Sequence, residues 1–131
     1  MDILKNIKVL DFGRYIAGPY CAALLGDLGA EVIRIERIVG SEDRYVHPID
    51  SDGGEGAMFM QMNRNKKGIT LNPKKEGAEE IVKKLTESAD VIVANLPPQT
   101  LKKMGIDYET VKKYNPRIIL TTVSAFGHGG P

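Results

Sequence analysis

The chain has 131 residues, room for a single domain, and with 42% hydrophobic and 27% charged residues it can bury a packed core, which excludes intrinsic disorder. Eighteen Lys and Arg against 17 Asp and Glu leave a net charge of +1, without the basic excess of a general nucleic-acid binder. One cysteine, Cys21, excludes an intrachain disulfide and a metal site built from cysteines alone, and no apolar run reaches the roughly 20 residues that span a bilayer.

The opening Met1-Asp2-Ile3-Leu4-Lys5 lacks the basic and apolar regions of a signal peptide, so a cytoplasmic location is expected. Ile7, Val9 and Leu10 lead into Asp11-Phe12, a short buried strand ended by Gly13. Gly18 and Pro19 supply a cap and a first helical position. Behind them Cys21, Leu24, Leu25 and Leu28 fall at i, i+3, i+4 and i+7, which predicts one buried apolar face, and Gly29 is the stop. Val32 to Glu36 reads as the second strand. Arg37 to Gly56 is polar and glycine-rich and is expected to form a long loop, mobile or serving function. Ala57 to Gln61 permits a short helix, and Gly68 to Leu71 a third strand.

Asn72 and Pro73 are expected to cap and begin the next helix. Ala78, Ile81, Val82 and Leu85 form its buried stripe, and Glu79–Lys83 and Glu80–Lys84 pair on its outer face. Val91 to Ala94 is apolar on both faces, as a central parallel strand should be. Leu101 to Met104 makes a helical turn stopped by Gly105. Asp107 caps a short helix carrying Val111 and Tyr114, which Pro116 ends, and Ile118 to Val123 is the last strand.

This alternation predicts an α/β fold, a Rossmann-like open, mostly parallel sheet with helices on both faces. Ligands of such sheets bind in loops beyond the carboxyl ends of the strands, which here begin at Gly13, Arg37, Asn95 and Ser124. The glycine-rich stretch Ser124 to Pro131 has the look of a connection, so the chain is expected to be one piece of a longer enzyme.

Gly13 and Gly18 flank the first strand-to-helix turn, and Glu36 ends the second strand where a dinucleotide fold holds a ribose, yet the G-x-G-x-x-G fingerprint is absent. The spacing of Gly13 and Gly18 opens like a P-loop, but Pro19-Tyr20 replaces the required Lys-Ser/Thr, so neither NAD nor ATP is expected. Asp11 is expected to accept hydrogen bonds from nearby backbone N–H groups rather than to act as acid, base or metal ligand. Cys21 lies on the apolar stripe and is read as packing, not as a nucleophile. His47 and His128 stand in loops without a paired His or Cys, so no metal is expected. His128, among glycines at a strand's carboxyl end, is expected to be an exposed loop histidine, the rival reading being that it borders a ligand.

The cations carry more information. Arg34 and Arg37 bracket Glu36, Asn63-Arg64-Asn65-Lys66-Lys67 precedes the third strand, and Lys102 and Lys103 follow Asn95-Leu96-Pro97-Pro98. Arg37 and the Asn95 loop on the ligand-binding edge would suit a phosphorylated ligand. The rival reading is a solvated charged surface balanced by Glu36 and Glu76.

Leu10-Asp11-Phe12, Ala17-Gly18-Pro19, the run from Leu28 to Arg37, Asn63 to Lys67, Ala89-Asp90-Val91, Met104-Gly105 and Asn115-Pro116-Arg117 occur in that order. With these motifs the sequence resembles, over essentially its whole length, the N-terminal portion of the family III CoA-transferases, which include formyl-CoA transferase, carnitine CoA-transferase and α-methylacyl-CoA racemase. The resemblance implies that residues 1–131 are the N-terminal part of a large CoA-binding domain, with the small domain and C-terminal part absent, and that the whole protein is a dimer of interlocked ring-like chains. It implies coenzyme A or an acyl-CoA as substrate, a carboxylic acid as the other reactant, and no permanently bound cofactor.

The implied chemistry is covalent: an aspartate attacks the acyl-CoA thioester and becomes an acyl anhydride, which an acceptor carboxylate and CoA resolve into the new thioester. The motif of that aspartate lies beyond this chain, Asp11 and Asp90 match other motifs, and residues 1–131 alone are expected to be inactive. Carried over by motif, Ala17 would approach the thioester end and Arg37 would face the nucleotide phosphates. Met62, Asn63, Arg64 and Asn65 would line the adenine and ribose, with Lys66 close by. Asn95, Leu96 and Pro97 would border the pantetheine–nucleotide channel, and Lys103 would meet a phosphate. Ile16 stands where formyl-CoA transferase carries glutamine, and Lys103 where arginine is common, which loses a bidentate phosphate contact. The alternatives are a portion of a racemase-type enzyme and a non-catalytic module that binds CoA or another nucleotide.

Overall fold

The computed structural model describes residues 2–49 and 51–127. Five strands form one sheet: β1 (Lys8–Asp11), β2 (Glu31–Glu36), β3 (Lys67–Thr70), β4 (Val91–Ala94) and β5 (Ile119–Thr122). They lie in the order β3-β2-β1-β4-β5 and every pair is parallel. From β1 the chain steps outward through β2 to β3, then returns across β1 to β4 and β5. The order therefore reverses between β1 and β4, and a crevice opens at their carboxyl ends. The helices are α1 (Ala17–Asp27), α2 (Ala57–Met62), α3 (Ala78–Glu87), α4 (Pro98–Lys103) and α5 (Tyr108–Tyr114). None among the described residues is long and apolar enough to cross a membrane.

The period-two alternation of the strands divides the core in two. Val9, Val32 and Val93 face α1 and pack with Ala22 and Ala30, with Leu25 and Cys21 half-buried against them. Leu10, Phe12, Ile35, Ile92 and Ala94 face the other way, onto Val82 of α3, Leu101 of α4 and Val111 of α5. The helix terminators act where expected: Gly105 at φ 67 follows α4, and Asp107 caps α5 by accepting from the Thr110 N–H at 3.2 Å.

Helix α1 does not bury the stripe its leucines predict. Gly18, Pro19, Ala22, Ala23 and Gly26 are buried, whereas Leu24 and Leu28 are 43% and 38% exposed. Close approach is the reason. A Cβ on Gly26 would lie 3.3 Å from Val32 Cγ2, and one on Gly18 would lie 2.8 Å from both Asn95 Oδ1 and the Gly13 Cα. Small residues line the closest approach of α1 to the strands, and Leu24 and Leu28 are turned outward. Cys21 stays half-buried beside the α1 core, and burial, with Asp11 nearby, pushes its thiol up and away from the reactive thiolate.

Helix α3 begins at Ala78, later than Asn72 and Pro73 predict, because Gly77 at φ 81 is left-handed and ends any earlier helical path. Asn72 closes a turn instead, its Oδ1 accepting from the Lys74 N–H at 3.0 Å. Ala78 and Val82 are buried as expected, Leu85 is partly so, and Thr86 takes the place expected of Ile81, which is exposed. Glu80 and Lys84 pair at 4.0 Å, while Lys83 Nζ lies 6.0 Å over the Tyr114 ring instead of meeting Glu79.

The stretch from Arg37 to Gly56 is more ordered than a bare loop. It contains a 3₁₀ turn, Glu42–Tyr45, and an antiparallel bridge between Ile49 and Gly56. The position singled out at His128 lies outside the described residues.

Candidate functional site

At the carboxyl end of β1 the chain turns sharply at Gly13, where a Cβ would lie 2.6 Å from Pro19 Cδ and 2.7 Å from Asp11 Oδ1. Asp11, fully buried, accepts from the Gly13 N–H at 2.7 Å, the backbone role expected of it. The residues that follow are held from two sides. Asn95, just past β4, accepts from the Arg14 N–H at 2.6 Å and donates to the Arg14 carbonyl at 2.8 Å. Asp43 accepts from the Tyr15 N–H at 3.0 Å, and Tyr15 sits at φ 59, a conformation a tyrosine keeps only where its surroundings hold it. The loop into α1 is thus rigid at the point where the strand order reverses.

Beside it lies a cleft of about 640 Å³. One wall is the end of β2 and its continuation, Ile35 to Val39; the second is Leu71 to Lys74 after β3; the third is Leu96, Thr100, Lys103 and Met104 around α4, and Arg14 lines it as well. Four cations therefore face this space: Arg14, Arg37, Lys74 and Lys103. Arg37 is exposed and pairs with Glu42. Lys74 and Lys103 have no ion-pair partner among the described residues. Arg14 donates through Nη1 to the carbonyls of Gly13 at 2.6 Å, Phe12 at 3.2 Å and Ile35 at 3.3 Å. Burial, and then the neighbouring Arg34, lower its pKa from the usual value.

Glu36 is the sole acid on the cleft wall, and it is already neutralised. Arg34 Nε donates to it at 2.8 Å, Arg44 donates through Nε at 2.8 Å and Nη2 at 2.9 Å, and the Ser41 N–H at 3.1 Å. Burial opposes its charge, but the hydrogen bonds from Arg44 and Arg34 outweigh that and hold its pKa at about 2. Glu36 is therefore committed to arginines and does not stand free for a ribose.

Behind this wall is a buried ionic cluster on the α1 side of the sheet. Arg34, 2% exposed, donates to Ser41 Oγ at 2.8 Å, Asp43 Oδ2 at 2.9 Å and Asn63 Oδ1 at 2.8 Å, and lies 3.8 Å from Asp11. Lys66 Nζ donates to Asp11 at 2.7 Å, the Pro19 carbonyl at 2.8 Å and Asn63 Oδ1 at 2.9 Å. Three carboxylates, those of Asp11, Glu36 and Asp43, meet the three cations Arg34, Arg44 and Lys66. The Arg34 and Arg44 guanidiniums lie 5.1 Å and 4.1 Å from the centre of the Phe59 ring.

Of the residues picked from the sequence, Arg37, Leu96 and Lys103 line the cleft. Asn95 clamps the Arg14 loop from behind, Pro97 is the N-cap of α4, and Ala17 is the first residue of α1. Met62, Asn63, Arg64, Asn65 and Lys66 do not line it. Met62 ends α2, Asn63 and Lys66 belong to the buried cluster, and Arg64 Nη2 meets Asp27 at 2.5 Å. Asn65, at φ 58, donates to the Gly26 carbonyl at 3.0 Å. All three Lys66 donors are occupied and its side chain is 2% exposed, so it anchors the start of α1. Sequence reasoning passed over Arg14 and Leu71 to Lys74. The signal for Arg14 was its place directly after Gly13 at a strand's carboxyl end; Asn72 and Pro73 were read only as a helix start.

A profile described as CoA-transferase family III matches residues 4–131. The chain is 40% identical to the (R)-2-hydroxy-4-methylpentanoate CoA-transferase of Clostridioides difficile, over 98% of this chain and 33% of that protein. It is 39% identical to the succinyl-CoA:glutarate CoA-transferase of Mus musculus, over 100% of this chain and 30% of that protein. The crystal structure of a CAIB/BAIF family protein from Brucella suis superposes with a TM-score of 0.89 at 39% identity, covering 98% of this chain and 35% of that one. The chain spans about a third of the length of the relatives it matches.

Proposed function

Since the chain belongs to CoA-transferase family III, we propose that its cleft binds the nucleotide end of coenzyme A, within a protein that transfers CoA between an acyl thioester and a carboxylic acid. The observation that carries this reading is the charge of the cleft. Four cations face it, and its one acid is internally paired. Coenzyme A brings roughly four negative charges on its 3′-phosphate and pyrophosphate, which such a lining complements. The apolar walls, Ile35, Leu71, Leu96 and Met104, suit the adenine and the pantetheine arm.

In the proposed reaction an aspartate outside residues 1–131 attacks the thioester carbon, the C–S bond breaks, and CoA leaves as a thiolate while an acyl–aspartyl anhydride forms. The acceptor carboxylate attacks the aspartyl carbonyl and displaces the donor acid as its carboxylate, and the thiolate then attacks the new acyl carbon, forming the new thioester and freeing the aspartate. CoA has to stay bound between these steps. Holding its nucleotide on rigid strand ends keeps the thiolate near the reacting centre and makes its return intramolecular in effect. This chain supplies that grip and does not turn over by itself. A homodimer and a cytoplasmic location belong to the same proposal.

Calorimetric titration of CoA tests the reading. Arg37→Ala and Lys103→Ala should each weaken binding by ~1.5–3 kcal/mol, the range for hydrogen bonds to charged groups. Lys83→Ala and Lys84→Ala, on α3 and away from the cleft, should leave it unchanged. Equal weakening by both sets would mean diffuse attraction to a basic surface and would contradict a site.

A further inference from the structure

Arg14 is the one cation of the cleft that is half-buried, and it has no carboxylate within ion-pair distance among the described residues. Its charged neighbours at the strand ends differ: Arg34 pairs with Glu36 and Asp43, Arg44 with Glu36 and Glu55, Lys66 with Asp11. Its hydrogen bonds to carbonyl oxygens all run from Nη1, so Nε and Nη2 donate to no protein atom among the described residues. Nε and Nη2 are not among the buried polar atoms left without a partner, so they reach solvent and stand open to an anion entering the cleft. Asn95 fixes the Arg14 backbone at both N–H and carbonyl, so little ordering remains when a ligand arrives.

From this geometry, and resting on the reading of the cleft as a coenzyme A site, we propose that Arg14 is the anchor for the pyrophosphate. The other three cations stand exposed at the rim, whereas Arg14 reaches across the ends of β1 and β2. In CoA the pyrophosphate is the central group, between adenosine and pantetheine, and the 3′-phosphate is terminal on the ribose. The deepest cation meets the central group, and the planar fork of arginine matches the paired oxygens of a diphosphate better than a lysine does.

Titration of CoA, 3′-dephospho-CoA and pantetheine into the wild-type chain, Arg14→Met and Arg14→Lys tests this. Arg14→Met should weaken CoA and 3′-dephospho-CoA by the same factor, about tenfold or more, and leave pantetheine unchanged, while Arg14→Lys recovers only part of the loss. Unchanged binding of CoA by Arg14→Met overturns the proposal. So does a loss for CoA that spares 3′-dephospho-CoA, which would put Arg14 on the 3′-phosphate. So does an equal loss for pantetheine, which would make Arg14 a structural tie of the loop. If Arg14→Met fails to fold, full recovery of both nucleotides by Arg14→Lys likewise overturns it. A wild-type chain that binds CoA no better than pantetheine refutes the reading of the cleft itself and with it the role of Arg14; retained wild-type discrimination with no effect of Arg14→Met refutes Arg14 alone.

Discussion

Glu36 shows how a residue's surroundings decide its role. By position it ends β2 where a dinucleotide fold keeps its ribose acid, yet two arginines and a serine N–H claim its oxygens. That arrangement has a pH signature. The carboxyl pKa falls from 4.5 to about 2 on folding, so below 4.5 the unfolded chain takes up the proton first. The stabilisation is complete above pH 4.5, shrinks as pH falls, and is gone below about pH 2. Its size is on the order of 3 kcal/mol, from about 1.4 kcal/mol per pKa unit. Urea midpoints measured between pH 6 and pH 2 should fall steeply below about pH 4.5 in the wild type and more gently in Glu36→Gln. Parallel curves would contradict this role for Glu36. Lys66 carries the same lesson. As part of a basic run it reads as a ligand cation, and no linear pattern reveals that Nζ folds back onto Asp11, 55 positions away. Arg37 and Lys103 line the cleft, and their places in the sequence single them out: Arg37 directly follows β2 and Lys103 closes α4.

At the scale of elements, β1, β2, β4 and β5 form where apolar runs place them, β3 (Lys67–Thr70) starts one residue before the predicted Gly68 to Leu71 and is exposed throughout, and α4 and α5 end where Gly105 and Pro116 predict. Helix α1 was misread because periodicity counts large apolar residues, and here the buried face is made of small ones. The same rule that favours Leu24 and Leu28 is silent about Gly18, Ala22 and Gly26, whose value is the distance they permit. Two substitutions separate the readings. Gly18→Ala forces a Cβ to 2.8 Å from Asn95 Oδ1 and the Gly13 Cα and should destabilise by ~1–3 kcal/mol, the cost of overpacking. Leu24→Lys, on the outward face, should change stability by less than about 0.5 kcal/mol. Chemical denaturation showing the opposite order would restore the leucine stripe as the core. The strand order was beyond sequence reasoning. Alternating elements predict a parallel sheet, but whether a strand adds outside its predecessor or crosses to the other side depends on pairings that no local pattern records.

For the molecule as a whole, the sheet is unevenly covered. Val91 to Ala94 is enclosed by both layers, but Ile119 of β5 is 59% exposed and Val123 beyond it 43%. Along α1 the exposed Tyr20, Leu24 and Leu28 recur every fourth residue. The relatives it matches are about three times as long. Residues 1–131 alone present them to water, and exposed apolar surface beside an open strand edge favours association. Sedimentation at rising concentration should show self-association of the chain, weakened by Ile119→Glu. A monomer at every concentration would mean that these surfaces are tolerated without cover. The functional account depends on where coenzyme A sits. The most direct measurement is amide shift mapping on the ¹⁵N-labelled chain titrated with CoA. The account predicts perturbations at Arg14, Arg37, Leu71, Asn72, Lys74, Leu96 and Lys103, with Asn63 to Lys66 quiet. Perturbations concentrated at Asn63 to Lys66 and absent from Arg37 and Lys103 would place the nucleotide on the α1 side of the sheet and contradict it.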